Sequence, residues 1–477
     1  MSAPGRFSGD ESSDPAPPAP PARQERPSDS LVASEEVAGR GPGSVLEYGP
    51  PAAPAFLRGF RALRHRDFRL FYTGQLISLV GTWMQSLAQS WLVLVLTGSA
   101  LALGVVGALQ FLPVLFLSAL GGMAADRLPK RWVLVGTQAV EMILAFTLAL
   151  LTFTGVVSYV DVLILALLLG IANAIDMPTR QAFVVELVGP EDLTNAIALN
   201  STVFNAARLV GPALAGLLIG IIGISGCFLL NGLSFLAVIA GLLIMNPMHR
   251  PARHLESLRE IVQDLREGFR YVRLNQLVRA VIVIVGAVGT FGANFNVVLP
   301  IFARDTLGVG ATGLGWLMAS MGLGSLVASL ALAYGGGRPS ERTIVLAAVA
   351  FSIFEMALAP VSSFAVSLGL LTMIGAMMVM VSAVANSFLQ ASVPHRLRGR
   401  VMSIYTTVFV GTTPIGNTVS GIIAESTGAF GPLLLGGLAT LVTSVLVGTT
   451  LIRTPRRASV QRRERARYLD SSDRSRH

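Results

Sequence analysis

Residues 121–131 read GGMAADRLPKR. Four charges, Asp126, Arg127, Lys130 and Arg131, stand close together there, while the chain on either side is apolar over approximately 101–125 and 132–154. About 20 apolar residues in a helix cross the ~30 Å hydrocarbon core of a bilayer. The segment therefore reads as a short charged turn between two membrane-crossing helices. Gly122 permits a tight turn and close helix approach.

Ten more stretches of this kind follow or precede it, giving approximate spans 69–96, 101–125, 132–154, 159–177, 192–223, 225–246, 277–303, 311–335, 342–360, 364–392, 398–426 and 429–452. They are too long and too uniformly apolar for the alternating strands of a barrel, so helices are expected. Composition agrees: 52% of the 477 residues are hydrophobic and 13% charged. Segments 1–69, 247–279 and 453–477 hold 41 of the 63 charges, leaving 22 for the other 350 residues, too few to solvate the surface of a soluble fold. An even number of spans places both termini on one side. Even-numbered connections carry Arg127, Lys130, Arg131, Arg180, Arg338, Arg342, Arg396, Arg398 and Arg400, and loop 247–279 adds seven Arg, whereas odd-numbered connections carry only Arg304. By the positive-inside rule the termini and the central loop are cytoplasmic, in a cytoplasmic (inner) cell membrane. The net charge of +9 thus records orientation, and no nucleic-acid partner is expected.

The expected organisation is a disordered tail over 1–55, rich in Pro, Ser and Ala; a first six-helix half over 56–246 with an interfacial amphipathic lead-in at 56–71; a linker over 247–276; a second six-helix half over 277–453; and a basic tail over 454–477. Within the linker, Leu258, Ile261, Val262, Leu265, Phe269 and Val272 recur at helical spacing. A single cysteine, Cys227, excludes a disulfide framework, and five histidines without an H-E-x-x-H leave no metal site in view. No cleavable signal peptide is visible, no cofactor is expected, and no Walker A sequence is present for ATP.

The two halves echo each other. GPEDLTNAIALNSTVF (189–204) aligns with VPHRLRGRVMSIYTTVF (393–409), so that Pro190 and Leu193 pair with Pro394 and Leu397, and TGSALALGVVGAL near 97 is similar to TLGVGATGLGWLM near 306. Such internal repeats characterise secondary transporters. The opening segment resembles the signature G-x-x-x-D-R-x-x-R-R of the major facilitator superfamily, at Gly122, Asp126, Arg127, Lys130 and Arg131. The resemblance covers about 60–453 and implies an all-α polytopic membrane protein of twelve transmembrane helices in two six-helix halves. PTRQAFVVELVGPEDLTNAIALNSTVFNAARLVGPALAG (178–216), LRGRVMSIY (397–405) and RDFRLFYTGQLISLVGTWM (66–84) are most similar to the enterobactin-exporter-like transmembrane secretion effector branch and related drug exporters.

The resemblance implies that the 121–131 turn latches the halves together on the cytoplasmic side, with Arg398 and Arg400 as partners; the second-half counterpart, YGGGRPSER (334–342), has lost the acidic residue. The alternative is a purely topogenic basic loop. Gly211, Pro212 and Gly216 resemble a Gly-Pro-rich motif of exporters, with Ala207 and Ala215 replacing two of its glycines, and mark a helix hinge.

Polar residues fall on faces. In the first span Gln75, Ser78, Thr82, Gln85 and Gln89 recur at steps of three and four; Ser201, Asn205 and Arg208 do so in the fifth; Ser403, Thr406, Thr413, Asn417 and Ser420 form a looser stripe in the eleventh. Asn294, Asn296, Asn386 and Gln390 add to these. Such stripes line a water-filled path or join helices by hydrogen bonds. Intramembrane charges are costly and mark function. Arg208 is the candidate for an anionic or catecholate-like substrate or for coupling, with a structural pair to Asp176 or another buried acid as the alternative. Glu141 and Glu355 fall at roughly equivalent places in the two halves and are proton carriers or structural groups. Asp176, before Pro178, caps the end of the fourth span or helps gating. The fourth span lacks an intramembrane Arg and the first lacks an acid, so proton coupling comes from the resemblance alone.

Taken together, these features predict a monomeric secondary exporter of a small amphiphilic molecule, siderophore-like or drug-like, working by alternating access with proton antiport. The alternatives are a membrane-embedded regulatory or interaction protein and a lipid or lysolipid transporter. An enzyme is disfavoured, because no paired-carboxylate, Ser/His or metal constellation lies in the spans.

Overall fold

The computed structural model describes residues 61–245, 258–335 and 339–453. Both tails, residues 246–257 of the linker and Arg338 lie outside the described residues. Throughout the described residues the chain is helical, without strands. After a 3-10 turn at Arg61–Arg64 come α1 (Arg66–Thr97), α2 (Ala100–Arg127), α3 (Lys130–Phe153) and α4 (Tyr159–Ile244). The linker helix α5 (Leu258–Leu274) separates these from α6 (Gln276–Ala287), α7 (Phe295–Ile301), α8 (Ala311–Tyr334), α9 (Glu341–Leu358), α10 (Phe364–Ser392), α11 (His395–Thr427) and α12 (Phe430–Arg453).

Where they are described, the expected stretches lie largely on helix, and nine helical segments among the described residues have the length and hydropathy to cross a membrane. One of these, Glu191–Ile244, supplies two stretches because the chain reverses at Gly223. α4 is in fact three legs, over 159–188, 190–222 and 224–244, joined at Gly189 (φ 71°, ψ 176°) and Gly223 (φ 73°, ψ 177°). That region of backbone space is open only to glycine. The legs therefore reverse with almost no connecting loop. Ile77, Leu150, Phe153, Ile221 and Leu446 stay exposed, as side chains facing lipid do.

The repeat is visible in the backbone. Gly98 follows α1 with φ 64° and Gly308 follows the seventh stretch with φ 63°, so the similar sequences near 97 and 306 make similar left-handed turns. The seventh stretch is not a plain helix: α6 and α7 are separated by a π turn (Val288–Gly292) and two non-helical residues, Ala293 and Asn294, and a second π turn (Phe302–Thr306) ends it.

Two sequence expectations need correction. The fourth span does not stop before Pro178; the first leg of α4 runs through it to Val188, so Arg180 belongs to a helix and Asp176 caps nothing. Nor is the lead-in a separate helix over its described residues, 61–71. From Arg66 it is already α1, and Phe68 and Phe71 are buried, with Phe71 edge-on to Phe183 at 5.7 Å. Its turn is tied to α4 by Ala62 N–H donating to Asn195 Oδ1 (2.8 Å) and by Asp192 pairing with Arg61 (3.3 Å) and His65 (3.1 Å). The expected linker helix is present as α5.

Candidate functional site

Three neighbouring helices bring together a buried polar network in the N-terminal half. Asp176, on the first leg of α4, accepts from Thr137 Oγ1 (2.8 Å), Gln138 Nε2 (3.1 Å) and Arg180 Nε (2.8 Å). Arg180 also reaches Gln75 on α1. Gln138 Nε2 donates as well to Glu141 Oε2 (2.9 Å), so one amide bridges two carboxylates. Glu141 Oε1 is buried without a partner. Buried charges persist when paired and hydrogen-bonded, and here Arg180 meets that condition for Asp176. Arg180 lies one helical turn from Asp176, a spacing that places both on one face. That signal was present in the sequence, hidden by assigning Arg180 to a connection beyond Pro178.

The first-span stripe proves to be covered except at Thr82, which is exposed. Gln75, Ser78, Gln85 and Gln89 are buried, and Gln85 Oε1 accepts from Asn231 Nδ2 (2.7 Å) on the third leg of α4. Asn231 and Ser234 pack against Gly81, where a Cβ would come within 2.5 Å of Asn231 Oδ1. The face joins helices in this conformation. On α11, by contrast, Ser403 and Thr406 are exposed while Asn417 and Ser420 are buried, so that stripe closes toward the end farther from the linker.

Arg208 lies where the two halves meet. Its guanidinium stands 5.5 Å from the centroid of the Trp83 ring on α1 and one Nη lies 3.9 Å from Met378 Sδ on α10. Trp83 is itself edge-on to Phe204 at 5.6 Å. Arg208 Nε is buried without a partner, and among the described residues no carboxylate pairs with it. The suggested pair with Asp176 does not form, because Arg180 holds that acid. Asn205 Nδ2 donates to Ser201 O (2.8 Å). Around Arg208 the second leg of α4 is pinned between the halves. A Cβ at Gly211 would stand 2.6 Å from Trp83 Cβ, and one at Gly216 would stand 3.0 Å from Gly315 Cα on α8. Helical dihedrals run unbroken through Pro212; the breaks in α4 are at Gly189 and Gly223.

The latch residues divide. Asp126 and Arg127 are on α2, but their side chains lie outside the described residues, and no Cβ neighbour would crowd Gly122. Lys130 pairs with Glu186 (2.6 Å) and Arg131 donates to Leu243 O (2.5 Å), both within the N-terminal half. Arg400 pairs with Glu267 of the linker helix, and Arg398 Nε is buried without a partner.

The opposite mouth joins the halves through two residues with no place in the expected site. Arg304 donates to Gly98 O (3.2 Å) and Leu94 O (3.5 Å), the carbonyl end of α1. Glu425 Oε2 accepts from Leu101 N–H (2.9 Å) and Ser99 Oγ (2.9 Å), the amide end of α2. A cation at a helix C-terminus and an anion at an N-terminus both complement the helix dipole. Beside them Gly104 and Gly421 bring α2 and α11 together, a Cβ at either standing 3.0–3.3 Å or less from the other helix's backbone. Only Arg304 had a sequence signal, as the lone base in an outward connection.

In the C-terminal half Glu355 on α9 is 2% exposed, and its Oε2 is buried with no hydrogen-bond partner.

Residues 58–471 match the family model described as transmembrane secretion effector. The chain belongs to the transmembrane secretion effector family. Members of this family are major facilitator transporters, so the chain is a membrane transporter of small molecules and not an enzyme. It is 23% identical to the staphyloferrin A transporter of Staphylococcus aureus, over 78% of this chain and 93% of that one. It is 25% identical to the multidrug efflux pump Tap of Mycolicibacterium fortuitum, over 79% and 92%. It is 22% identical to the macrolide efflux protein A of Streptococcus pyogenes, over 83% and 100%. Among solved structures, the nucleoside transporter NupG superposes with a TM-score of 0.63 at 14% identity, covering 81% of this chain and 99% of that one. A bacterial homolog of the human lysosomal transporter Spinster, inward-facing and unoccupied, superposes with 0.60 at 13% identity, covering 81% and 95%. These two likenesses speak to the fold alone.

For a transmembrane secretion effector, the arrangement separates two kinds of buried charge. The Asp176–Arg180 pair is internal to one half. Arg208 stands at the seam between the halves with donors to spare.

Proposed function

We propose that this transporter is a secondary active exporter of a small amphiphilic molecule with an anionic or catecholate-like group, bound at Arg208. The observation that carries the reading is the unpaired guanidinium at the meeting of the halves, flanked by Trp83, Phe204 and Met378. A guanidinium presents a planar fork that suits carboxylate-like oxygens, and aromatic neighbours suit a planar apolar body. Efflux is the direction for which the drug-pump relatives are named.

Alternating access follows from the asymmetry of the mouths. Arg304 and Glu425 close the end away from the linker, and rocking the halves breaks both caps at once. The Gly122, Asp126 and Arg127 turn then latches the opposite end, and Arg398 and Arg400 are its partners. The basic connections support a cytoplasmic position for that end and for both termini. Asp176 and Glu141, bridged by Gln138, are the proton-carrying pair for antiport. Gly211 and Gly216 act as the surface on which the second leg of α4 rocks.

The test is uptake into everted membrane vesicles under an imposed proton gradient. A panel of catecholates and amphiphilic drugs is expected to include an accumulated compound. Arg208→Ala and Asp126→Asn are each expected to reduce its accumulation at least tenfold, about 1.4 kcal/mol. Unchanged accumulation in Arg208→Ala removes the assignment of the binding residue, and no gradient-driven movement of any compound removes antiport.

A further inference from the structure

We propose a second ligand site in the C-terminal half, for an apolar organic monocation, at Glu355 behind the cleft between the first π turn, α11 and α12. The inference does not depend on the Arg208 reading.

The cleft has a volume of about 210 Å³ and is lined by residues including Thr290, Phe291, Ser420, Leu435, Gly436 and Ala439. Phe291 and Leu435 are 40% and 49% exposed, so it opens on the outer surface of the helices. Glu355 lies behind its floor. A Cβ at Gly436 would stand 3.5 Å from Oε1, and one at Gly292 would stand 3.1 Å from Oε2. Because both positions are glycine, the carboxyl group reaches between α12 and the π turn up to the backbone that lines the cleft.

This carboxyl group lacks what buried acids normally have. Its Oε2 has no hydrogen-bond partner. On the elements packed around it the sequence has no charge at 280–303, at 364–392 or at 426–452. On α9 itself the other charges, Glu341 and Arg342, are more than three turns away at the opposite end. Arg279 on α6 and Arg453 on α12 stand at the far, linker-side ends of their helices, so among the described residues an ionised carboxylate here has no ion-pair partner, a costly state in a membrane interior. The backbone beside it is irregular: the π turn is followed by Ala293 (φ −93°, ψ 21°) and Asn294 (φ −93°, ψ 33°), and Asn294 Oδ1 is also buried without a partner. Irregular backbone at membrane depth occurs where it lines a cavity, and interrupted helices hold the ligand and ion sites of transporters. π turns inside helices concentrate at functional sites.

The chemistry of the ligand follows. One carboxylate calls for one positive charge. Apolar walls, Phe291 among them, call for a hydrocarbon or aromatic body. Anions are excluded by Glu355, and hydrated inorganic cations by the scarcity of polar lining.

The probe is radiolabelled tetraphenylphosphonium, measured by equilibrium dialysis on the full chain in phosphatidylcholine nanodiscs. Saturable binding of one ion per chain is expected, above that of empty nanodiscs. Glu355→Gln removes the charge and Ala439→Phe fills the cleft; each is expected to weaken binding at least about tenfold. Arg208→Ala is expected to leave it unchanged. If Glu355→Gln fails to fold, Ala439→Phe carries the same test from the lipid-facing side. Binding no greater than to empty nanodiscs overturns the proposal, as does binding that survives both cleft variants. Binding lost in Arg208→Ala but kept in the cleft variants places the cation at the seam instead, and also overturns it.

Discussion

Glu141 and Glu355 occupy comparable places in the two halves and live in opposite surroundings. Around Glu141 the N-terminal half pairs most of its charges internally, Arg208 excepted: Asp176 with Arg180 and Gln138, Lys130 with Glu186, and Asp192 with Arg61 and His65. The C-terminal half directs its charges elsewhere. Arg304, itself paired with Asp305 (2.6 Å), and Glu425 cap helix ends of the other half, Arg400 holds the linker helix, and Glu355 has no hydrogen bond at Oε2. Equivalent position in a repeat therefore does not imply equivalent chemistry. One half is cross-linked by polar contacts as a body, and the other supplies contacts that can be exchanged.

The largest expected effect breaks the N-terminal network. Asp176→Ala leaves Arg180 inside the protein without its carboxylate, a change that costs about 3–5 kcal/mol when a buried pair loses one partner. Thermal unfolding of the purified chain should show it as a large drop in midpoint. The double variant Asp176→Leu/Arg180→Met should recover most of the loss, because no charge is then left unpaired. A single-variant cost below about 1 kcal/mol would mean that the network is not what stiffens this half.

An intermediate effect is expected at the far mouth. Arg304→Gln and Glu425→Gln each remove one interaction with a helix end, about 0.3–1 kcal/mol at an exposed position and less in high salt. The closed-mouth population should fall several-fold in the double variant, read by electron-spin distances between labels on α2 and α11. Stability of the N-terminal half should not change. If instead the chain unfolds more readily and the distance stays fixed, these contacts are structural.

The smallest effect is expected at Glu355. Glu355→Gln breaks no hydrogen bond at Oε2, so its unfolding free energy should move by less than about 1 kcal/mol, the net worth of a typical hydrogen bond. Glu141→Gln disturbs the bond from Gln138 and should cost more. Equal costs for the two would erase the contrast between the halves.

Much of the fold was legible, because span length and uniform apolarity are properties of contiguous sequence. All twelve stretches could be placed that way. The left-handed turns at Gly98 and Gly308 lie in the segments whose similarity marked the repeat. The site was legible in part. Helical spacing put Gln75, Gln85 and Gln89 on one face, but spacing is silent about what covers a face, and Asn231 does so from 146 residues away. Pro178 was misleading for a local reason: a proline removes one amide donor without ending a helix whose neighbours hold it. That error hid the Asp176–Arg180 pair. The caps made by Arg304 and Glu425 join residues more than 200 positions apart, which no local pattern contains.

Cys227, the single cysteine of the chain, is fully buried at the start of the third leg of α4. The transporter is thus silent toward membrane-impermeant maleimides while remaining wild-type. One thiol introduced at Ser99 and another, in a separate variant, at Ser403 would turn each mouth into a labelling reaction with no native background. Opening and closing would then be timed by the rate at which each thiol is consumed.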